Sequence, residues 1–339
     1  MLCFFCVKNK DNLKVALIKR KELNTKLWDD CIDTSPQSLL FAYSWYLDLV
    51  TQDWWGAVIE HDNQYVWVMP FPIDKKINFK FIRMPLFTPE LGYFSTLPEP
   101  SFFLKDALKL IKEKVPYCID YIGNSSGKYP DFQWGEDLSI NLSNGYEHII
   151  SKFSKTKRKN VRQSMKRNNT PIMDQNIDGF LQLLRRFTLP KIGITNDQQI
   201  SIMLEELLTV LIKKKRLRIY SIYGENQEIE ASSIFVQHNS RWQYFLNTAD
   251  TYEKNKHGRL LIFNQFLKEE SEKPLFLHLG AYIQTPQSTE TYEQEVRKHF
   301  EQLTQERVQI PYTYWNHLPW YINIPHQVKK FIFKNLINK

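Results

Sequence analysis

Apolar positions along the chain switch between a spacing of two and a spacing of three to four, and the switches mark out elements. The clearest helix is predicted over residues 200–211, where Ile200, Met203, Leu204, Leu207, Leu208 and Leu211 fall on one face. Thr195 or Asn196 is placed to cap its start, and Lys213, Lys214 and Lys215 fall where positive charge suits a helix C-terminus. A strand at 171–173 and a helix over 177–187 precede it, the helix with Phe180, Leu183, Leu184 and Phe187 on one side. Three strands follow at 217–223, 229–237 and 241–248, separated by Gly224-Glu225-Asn226 and Asn239-Ser240. In the third, Trp242, Tyr244 and Leu246 alternate with Gln243, Phe245 and Asn247. A loop over 250–258 leads to a helix carrying Leu260, Phe263 and Leu267, then a strand over 274–279. A helix with Tyr292, Val296, Phe300 and Leu303, a strand over 310–315 and a basic amphipathic segment over 327–337 complete the pattern.

The first part of the chain predicts the same order. A strand at 14–18 is followed by helices over 25–32 and 39–50, strands at 54–60, 65–69 and 79–84, a helix over 102–111 and a strand at 117–122. The two series are displaced by about 155–165 residues, the signature of a doubled architecture. The join falls near 141–145, giving two domains, 1–144 and 145–339. The second opens with a basic helix over 146–167 that carries Ile150, Phe153, Val161 and Met165 on one side. The expected class is α/β (α+β), each half a mixed, mostly antiparallel sheet flanked by helices.

Composition adds mostly exclusions. With 42% hydrophobic and 24% charged residues, the chain has the makings of a packed core. No apolar run approaches the ~18 residues that span a bilayer, so the expectation is a cytoplasmic protein without a transmembrane segment. Four Cys in 339 residues suit a reducing compartment, and nothing completes a zinc site with Cys3 and Cys6. Only 11 Gly are present and none forms Gly-x-Gly, which removes a dinucleotide fingerprint. The string Gly123-Asn124-Ser125-Ser126-Gly127-Lys128 is one residue short of a phosphate loop and ends on Tyr129 rather than Ser or Thr. Scattered His without ligand spacing give no metal site. The net charge of +8 admits nucleic acid, anionic cofactors or anionic surfaces as partners and does not choose among them.

Four strings, in order, carry a family resemblance: Ala42-Tyr43-Ser44-Trp45-Tyr46-Leu47-Asp48, the segment 85–95 (PLFTPELGYFS), the segment 154–166 (SKTKRKNVRQSMK) and Asn316-His317-Leu318-Pro319-Trp320. With the doubled element order, they resemble the FemAB-like proteins, whose halves are two tandem GNAT-like acyltransferase domains. The resemblance implies transfer of an acyl group to an amine held between the domains, with coenzyme A or acyl-CoA as donor and no metal. In the GNAT pattern [Gln/Arg]-x-x-Gly-x-[Gly/Ala], backbone N–H groups at a helix N-terminus hold the pyrophosphate. Here that place reads Lys254-Asn255-Lys256-His257-Gly258-Arg259-Leu260, with one Gly in register and Lys254, Lys256 and Arg259 able to offset phosphate charge. The backbone of Tyr244, Phe245, Leu246 and Asn247 would receive the pantetheine arm.

The same resemblance points to a base for the attacking amine and an acid for the leaving thiolate. Asp250, His278 and Tyr282 are the candidates, against plainer roles as a turn residue, a core histidine and a packing residue. Trp45, Tyr46, Arg83, Phe87 and Tyr93 are candidates for an acceptor cleft in the first half. One departure stands out: FemAB-like relatives tend to carry an Asp-Phe-Glu-Gly-Ser-like string where this chain has Leu277-His278-Leu279-Gly280-Ala281. Two alternatives therefore stay open. One is a Fem-type enzyme using aminoacyl-tRNA, suggested by the basic run Lys155 to Arg167 though the long charged hairpin of such enzymes is missing; the other is a non-catalytic scaffold for an anionic polymer.

Overall fold

The computed structural model describes residues 13–76, 79–166, 170–192, 198–280 and 291–318. Along the chain come β1 (Ala16–Lys19), α1 (Thr25–Thr34), α2 (Ser44–Val50), β2 (Asp53–His61), β3 (Gln64–Lys76), β4 (Phe79–Ile82), β5 (Phe94–Ser95), α3 (Leu104–Lys114) and β6 (Tyr117–Ile122). Then follow β7 (Gln133–Asn141), α4 (Tyr146–Lys152), α5 (Lys155–Ser164), β8 (Ile172–Asp174), α6 (Ile177–Phe187), α7 (Gln198–Lys213), β9 (Leu217–Tyr223), β10 (Ile229–His238) and β11 (Arg241–Ala249). The last are α8 (Thr251–Asn255), α9 (Gly258–Glu270), β12 (Phe276–His278), α10 (Thr291–Glu301) and β13 (Glu306–Asn316).

The expected α/β order is present in both halves, with four differences of detail. The helix expected over 39–50 is a 3-10 turn, Leu40–Ala42, followed by α2. The loop expected over 250–258 contains the short helix α8. The single basic helix expected over 146–167 is two helices: Phe153 turns extended and buries its ring, and the Ser154 side chain caps a fresh start by accepting from the Lys157 N–H at 3.2 Å. Strand β7 is not among the expected elements, although Leu138 and Ile140 alternate with Asp137, Ser139 and Asn141; the structure buries Asp137 and Ser139 as well. The amphipathic segment at 327–337 lies outside the described residues.

Contacts divide the chain into a unit of residues up to Gln133 together with those from Pro311 on, and a unit Trp134–Ile310. The expected boundary at 144/145 differs because β7 pairs with β12, antiparallel from Asn141↔Phe276 to Ser139↔His278. The last strand among the described residues then returns: Tyr312–Asn316 pair with β6.

In the first unit the strand order is β1-β2-β3-β4-β6-β13, with β5 added on β3. Its core holds Trp28, Trp54, Trp67, Tyr46, Tyr93, Tyr121 and Tyr129, all almost wholly buried. The loop at 123–128 wraps the Tyr129 ring, whose hydroxyl accepts the N–H groups of Tyr93 and Asn124 at 3.2 Å each. The string that looked like a phosphate loop is thus filled by the protein's own phenol.

In the second unit the order is β13-β7-β12-β11-β10-β9-β8. Helix α9 lies largely buried on the sheet, burying Asn264 and Glu270 along with its apolar residues. Phe266 stacks flat on Phe235 at 3.8 Å between ring centroids and meets Trp242 and Tyr220 edge-on. At the helix's C-terminal end, the buried carboxylate of Glu270 accepts from Arg218 at 2.5 Å, Lys273 at 2.8 Å and Trp242 Nε1 at 3.2 Å. These contacts fix α9 against the strands and so fix the position of its first turn. Phe266→Ala is expected to cost about 3–5 kcal/mol of stability; a urea unfolding midpoint within error of the parent would contradict this anchoring role.

Candidate functional site

The site begins with a defect in pairing. β11 pairs with β12 in parallel at only three positions, Arg241↔Phe276, Trp242↔Leu277 and Gln243↔His278. β11 then runs on to Ala249 while β12 ends. On its other side β11 keeps its partner β10, but the register shifts there: Phe235 faces Tyr244, Ile234 faces Leu246, and Phe245 is the extra residue. An extra residue in one strand bends and twists it locally. The bulge therefore falls just past the last β11–β12 pair, where the strands part. It also reverses the side-chain alternation. Thr248 is carried to the α6 side, where its hydroxyl donates to Leu183 O, whereas Asn247 is carried to the α9 side, where it accepts from Arg259 Nη1 at 2.8 Å.

A cavity of about 370 Å3 opens beside this parted stretch, within the second unit. Tyr244 and Asn247 of β11, the turn and first residues of α9, Lys157 of α5, Val296, His299 and Phe300 of α10, and Leu303 just past it all line it. The turn is built by His257, which holds a left-handed conformation at φ 62° and ψ 33°, and by Gly258, the first residue of α9. Gly258 has no room for a side chain: a Cβ there would lie 2.3 Å from Glu253 Oε2. Glu253 is fully buried, so a carboxylate is packed against the N-terminus of α9. Helix N-termini favour such a negative charge.

The basic groups converge from separate elements. Lys157 Nζ lies 3.0 Å from His299 Nδ1. Burial, and then the nearby Arg259 charge, pull the Lys157 amine down to about 8. The His257 imidazole is held below its ordinary range by burial and by Lys157. His299, although part of its side chain reaches solvent, is pushed down by the burial of its ring and then by Lys157, Arg259 and His257. Among the described residues Lys157 has no carboxylate partner. With both imidazoles neutral, Lys157, Lys191 and Arg259 face two lining carboxylates, Glu253 and Glu295.

Of the residues expected to hold the donor, Tyr244, Asn247, His257, Gly258 and Arg259 line the cavity. Phe245 is the bulge and Leu246 follows it away from the α9 side. Lys256 Nζ sits over the Tyr252 ring, 3.9 Å from its centroid, and does not line the cavity. Lys254 lies in α8, its side chain outside the described set. Asp250 caps α8 by accepting from the Glu253 N–H at 2.7 Å. His278 ends β12, with Nδ1 4.0 Å from Asp137 Oδ2, and its carbonyl accepts from Gln243 Nε2 at 3.3 Å. Tyr282 lies outside the described residues. In the first unit, Tyr46 and Tyr93 are core side chains, donating to Phe87 O at 2.5 Å and Lys128 O at 3.2 Å. Trp45 packs against Tyr43 and Tyr46, and exposed Arg83 pairs with Asp74 at 2.6 Å. Phe87 holds a left-handed φ of 63°, unusual for an aromatic residue.

Sequence reasoning missed Lys157 and His299. Lys157 was read as one charge in a solvated basic run, although the Ser154 cap fixes the phase that turns it inward. His299 sits next to Phe300 of the apolar stripe, and no local signal marks it.

No family model matches the sequence, and no curated protein matches it. The fold does have counterparts among solved structures. The crystal structure of FemX matches with a TM-score of 0.57 at 11% identity, over 89% of this chain and 98% of that one. The structure of L-PGS from Bacillus licheniformis matches with a TM-score of 0.52 at 13% identity, over 88% and 94%. The chain thus shares its fold with FemX and L-PGS. No helix among the described residues is long and apolar enough to cross a membrane.

The low proton affinity of Lys157 has a signed consequence for stability. The unfolded amine binds its proton with an ordinary value of 10.5, the folded one at about 8. Below about 8 both states are charged and the folded state bears the full cost. Between 8 and 10.5 the unfolded state holds more protons, so stability from this group rises with pH. Wild type is therefore expected to gain on Lys157→Met as pH rises through that window, measured by urea midpoints at pH 7 and pH 10.5. A constant difference between the two proteins would show that the amine titrates normally.

Proposed function

We propose that this chain, on the fold it shares with FemX and L-PGS, transfers an acyl group from a phosphate-bearing donor to an amine, with acyl-CoA as the leading donor. The observation that carries this reading is the parting of β11 from β12 just before the Phe245 bulge, beside a cavity edged by basic side chains. A strand edge released from its neighbour offers backbone groups to an extended amide-bearing arm, and the cavity's cations suit the arm's phosphorylated end. In this reading the acyl carbonyl lies near Gln243 and Tyr244. The amine nitrogen attacks it, the bond from carbonyl carbon to sulfur breaks, and the amine's proton ends on the departing thiol.

His278, at the last paired position of β12 and near Asp137, is the proposed base. Tyr282 is kept as the proposed proton donor to sulfur. Asp250 is assigned to holding α8, and through it Glu253, in place.

One observation favours a second donor, an aminoacyl-tRNA. Glu253 packs against Gly258 where the pyrophosphate of coenzyme A would approach the helix, while α5 turns Lys155, Lys159 and Arg162 to solvent. Titration calorimetry with coenzyme A and acetyl-CoA separates the two. Binding that weakens as salt rises is expected for the first donor. No heat at millimolar ligand, together with salt-sensitive retention of aminoacyl-tRNA, transfers the reading to the second. Failure to turn over either donor with any amine removes the enzymatic reading.

A further inference from the structure

In the GNAT-type turn, phosphate is gathered by N–H groups at a helix N-terminus. In this chain a buried carboxylate, Glu253, already packs against that place. Yet the cavity next to it is lined by basic groups from three separate segments: Lys157 from α5, His299 from α10, and His257 and Arg259 at the start of α9. Lys157 is 9% exposed and meets a histidine nitrogen rather than an acid. A cation taken out of water without a counter-charge is costly, and the cost is relieved when an anion fills the site. Arg259 is held in place by Asn247, itself turned toward the cavity by the Phe245 bulge. The side chains are therefore pre-arranged around the cavity, with Lys157 itself meeting His299 rather than either lining carboxylate.

We propose that Lys157, His299 and Arg259 form a side-chain-built phosphate site, which takes the diphosphate or terminal phosphate of the donor in place of the amides at the start of α9. The proposal rests on the reading of a phosphate-bearing donor and names the residues that select it. The other charged groups facing the site are His257, Lys191, Glu253 and Glu295. An incoming dianion opposes the repulsion among these basic groups, so Lys157 and the two imidazoles hold protons more tightly in the complex. Binding thus takes up protons at neutral pH and weakens as pH rises through the range where Lys157 titrates.

The test uses the full chain and inorganic pyrophosphate, which carries the charge but no acyl group, nucleoside or RNA. Calorimetry at pH 7 in two buffers of different ionisation enthalpy is expected to show proton uptake. Lys157→Gln and His299→Gln are each expected to weaken binding about tenfold or more, the loss of one charge-assisted contact. A second readout needs no variant: the His299 ring C–H signal in a proton–carbon NMR titration is expected to move its midpoint to higher pH when pyrophosphate is added. Unchanged affinity in both variants, or an unmoved His299 midpoint, overturns the site. Acetyl-CoA turnover that survives Lys157→Gln with unchanged KM keeps the acyl-transfer reading and removes this site. Lys157-dependent pyrophosphate binding without turnover keeps the site and removes the acyl-CoA reading. Parallel titrations with coenzyme A and with a CCA trinucleotide bearing a 5′-phosphate tell which source of phosphate the site prefers.

Discussion

One backbone constraint underlies the rest: β11 has more residues than its parallel neighbour can pair. β12 supplies three partners and stops, and the surplus residue Phe245 bends β11 at that point. Hydrogen-bonding groups of a strand cannot be left buried without partners, so a strand that leaves its neighbour must find other partners there, in solvent, a ligand or another segment of the chain. The aromatic packing of α9, with Phe266 flat on Phe235 and Glu270 tied to Arg218, Lys273 and Trp242, holds the opposite wall still. A cleft in a sheet is stable here because the helix beside it is among the most firmly buried elements in the second unit.

The charges follow from that geometry. The turn into α9 needs His257 left-handed and Gly258 without a side chain, and the space so created admits Glu253. With an acid against the helix start, an anionic ligand is best met from the sides. Lys157 and His299 reach the cavity from α5 and α10, outside the sheet-turn-helix segment formed by β11 and α9. The result is a familiar fold with the counter-charges redistributed around its cleft.

Much of the fold was legible from spacing. The three strands β9, β10 and β11 and helices α6 and α7 appear where their apolar positions place them. Strand β7 shows a short alternation, Leu138 and Ile140 against Asp137, Ser139 and Asn141, but the burial of Asp137 and Ser139 is set by tertiary packing and leaves no mark in the sequence. The break between α4 and α5 was legible only in part: Ser154 is a good capping residue, but the apolar spacing of Ile150, Phe153 and Val161 runs straight across it. The site divides in the same way. His257, Gly258 and Arg259 are contiguous, so a local string could bring them forward, whereas Lys157 and His299 meet at 3.0 Å across 142 residues of sequence. Such a pairing is a property of tertiary packing and leaves no mark on either segment.

The return of β13 to β6 has a bearing on how the molecule is made. Residues Tyr312–Asn316 complete the sheet of the unit built from the beginning of the chain, and Trp315 Nε1 donates to Val115 O at 3.0 Å across 200 residues. On a ribosome, the first-made half must therefore wait, with one strand missing, until translation has passed the whole of the other half. The segment Trp134–Ile310 is contiguous and can collapse as it emerges, so the later-made half is the earlier to be finished. Until then the open edge of β6 is an unsealed seam, the place where a chaperone or a neighbouring nascent chain would find purchase.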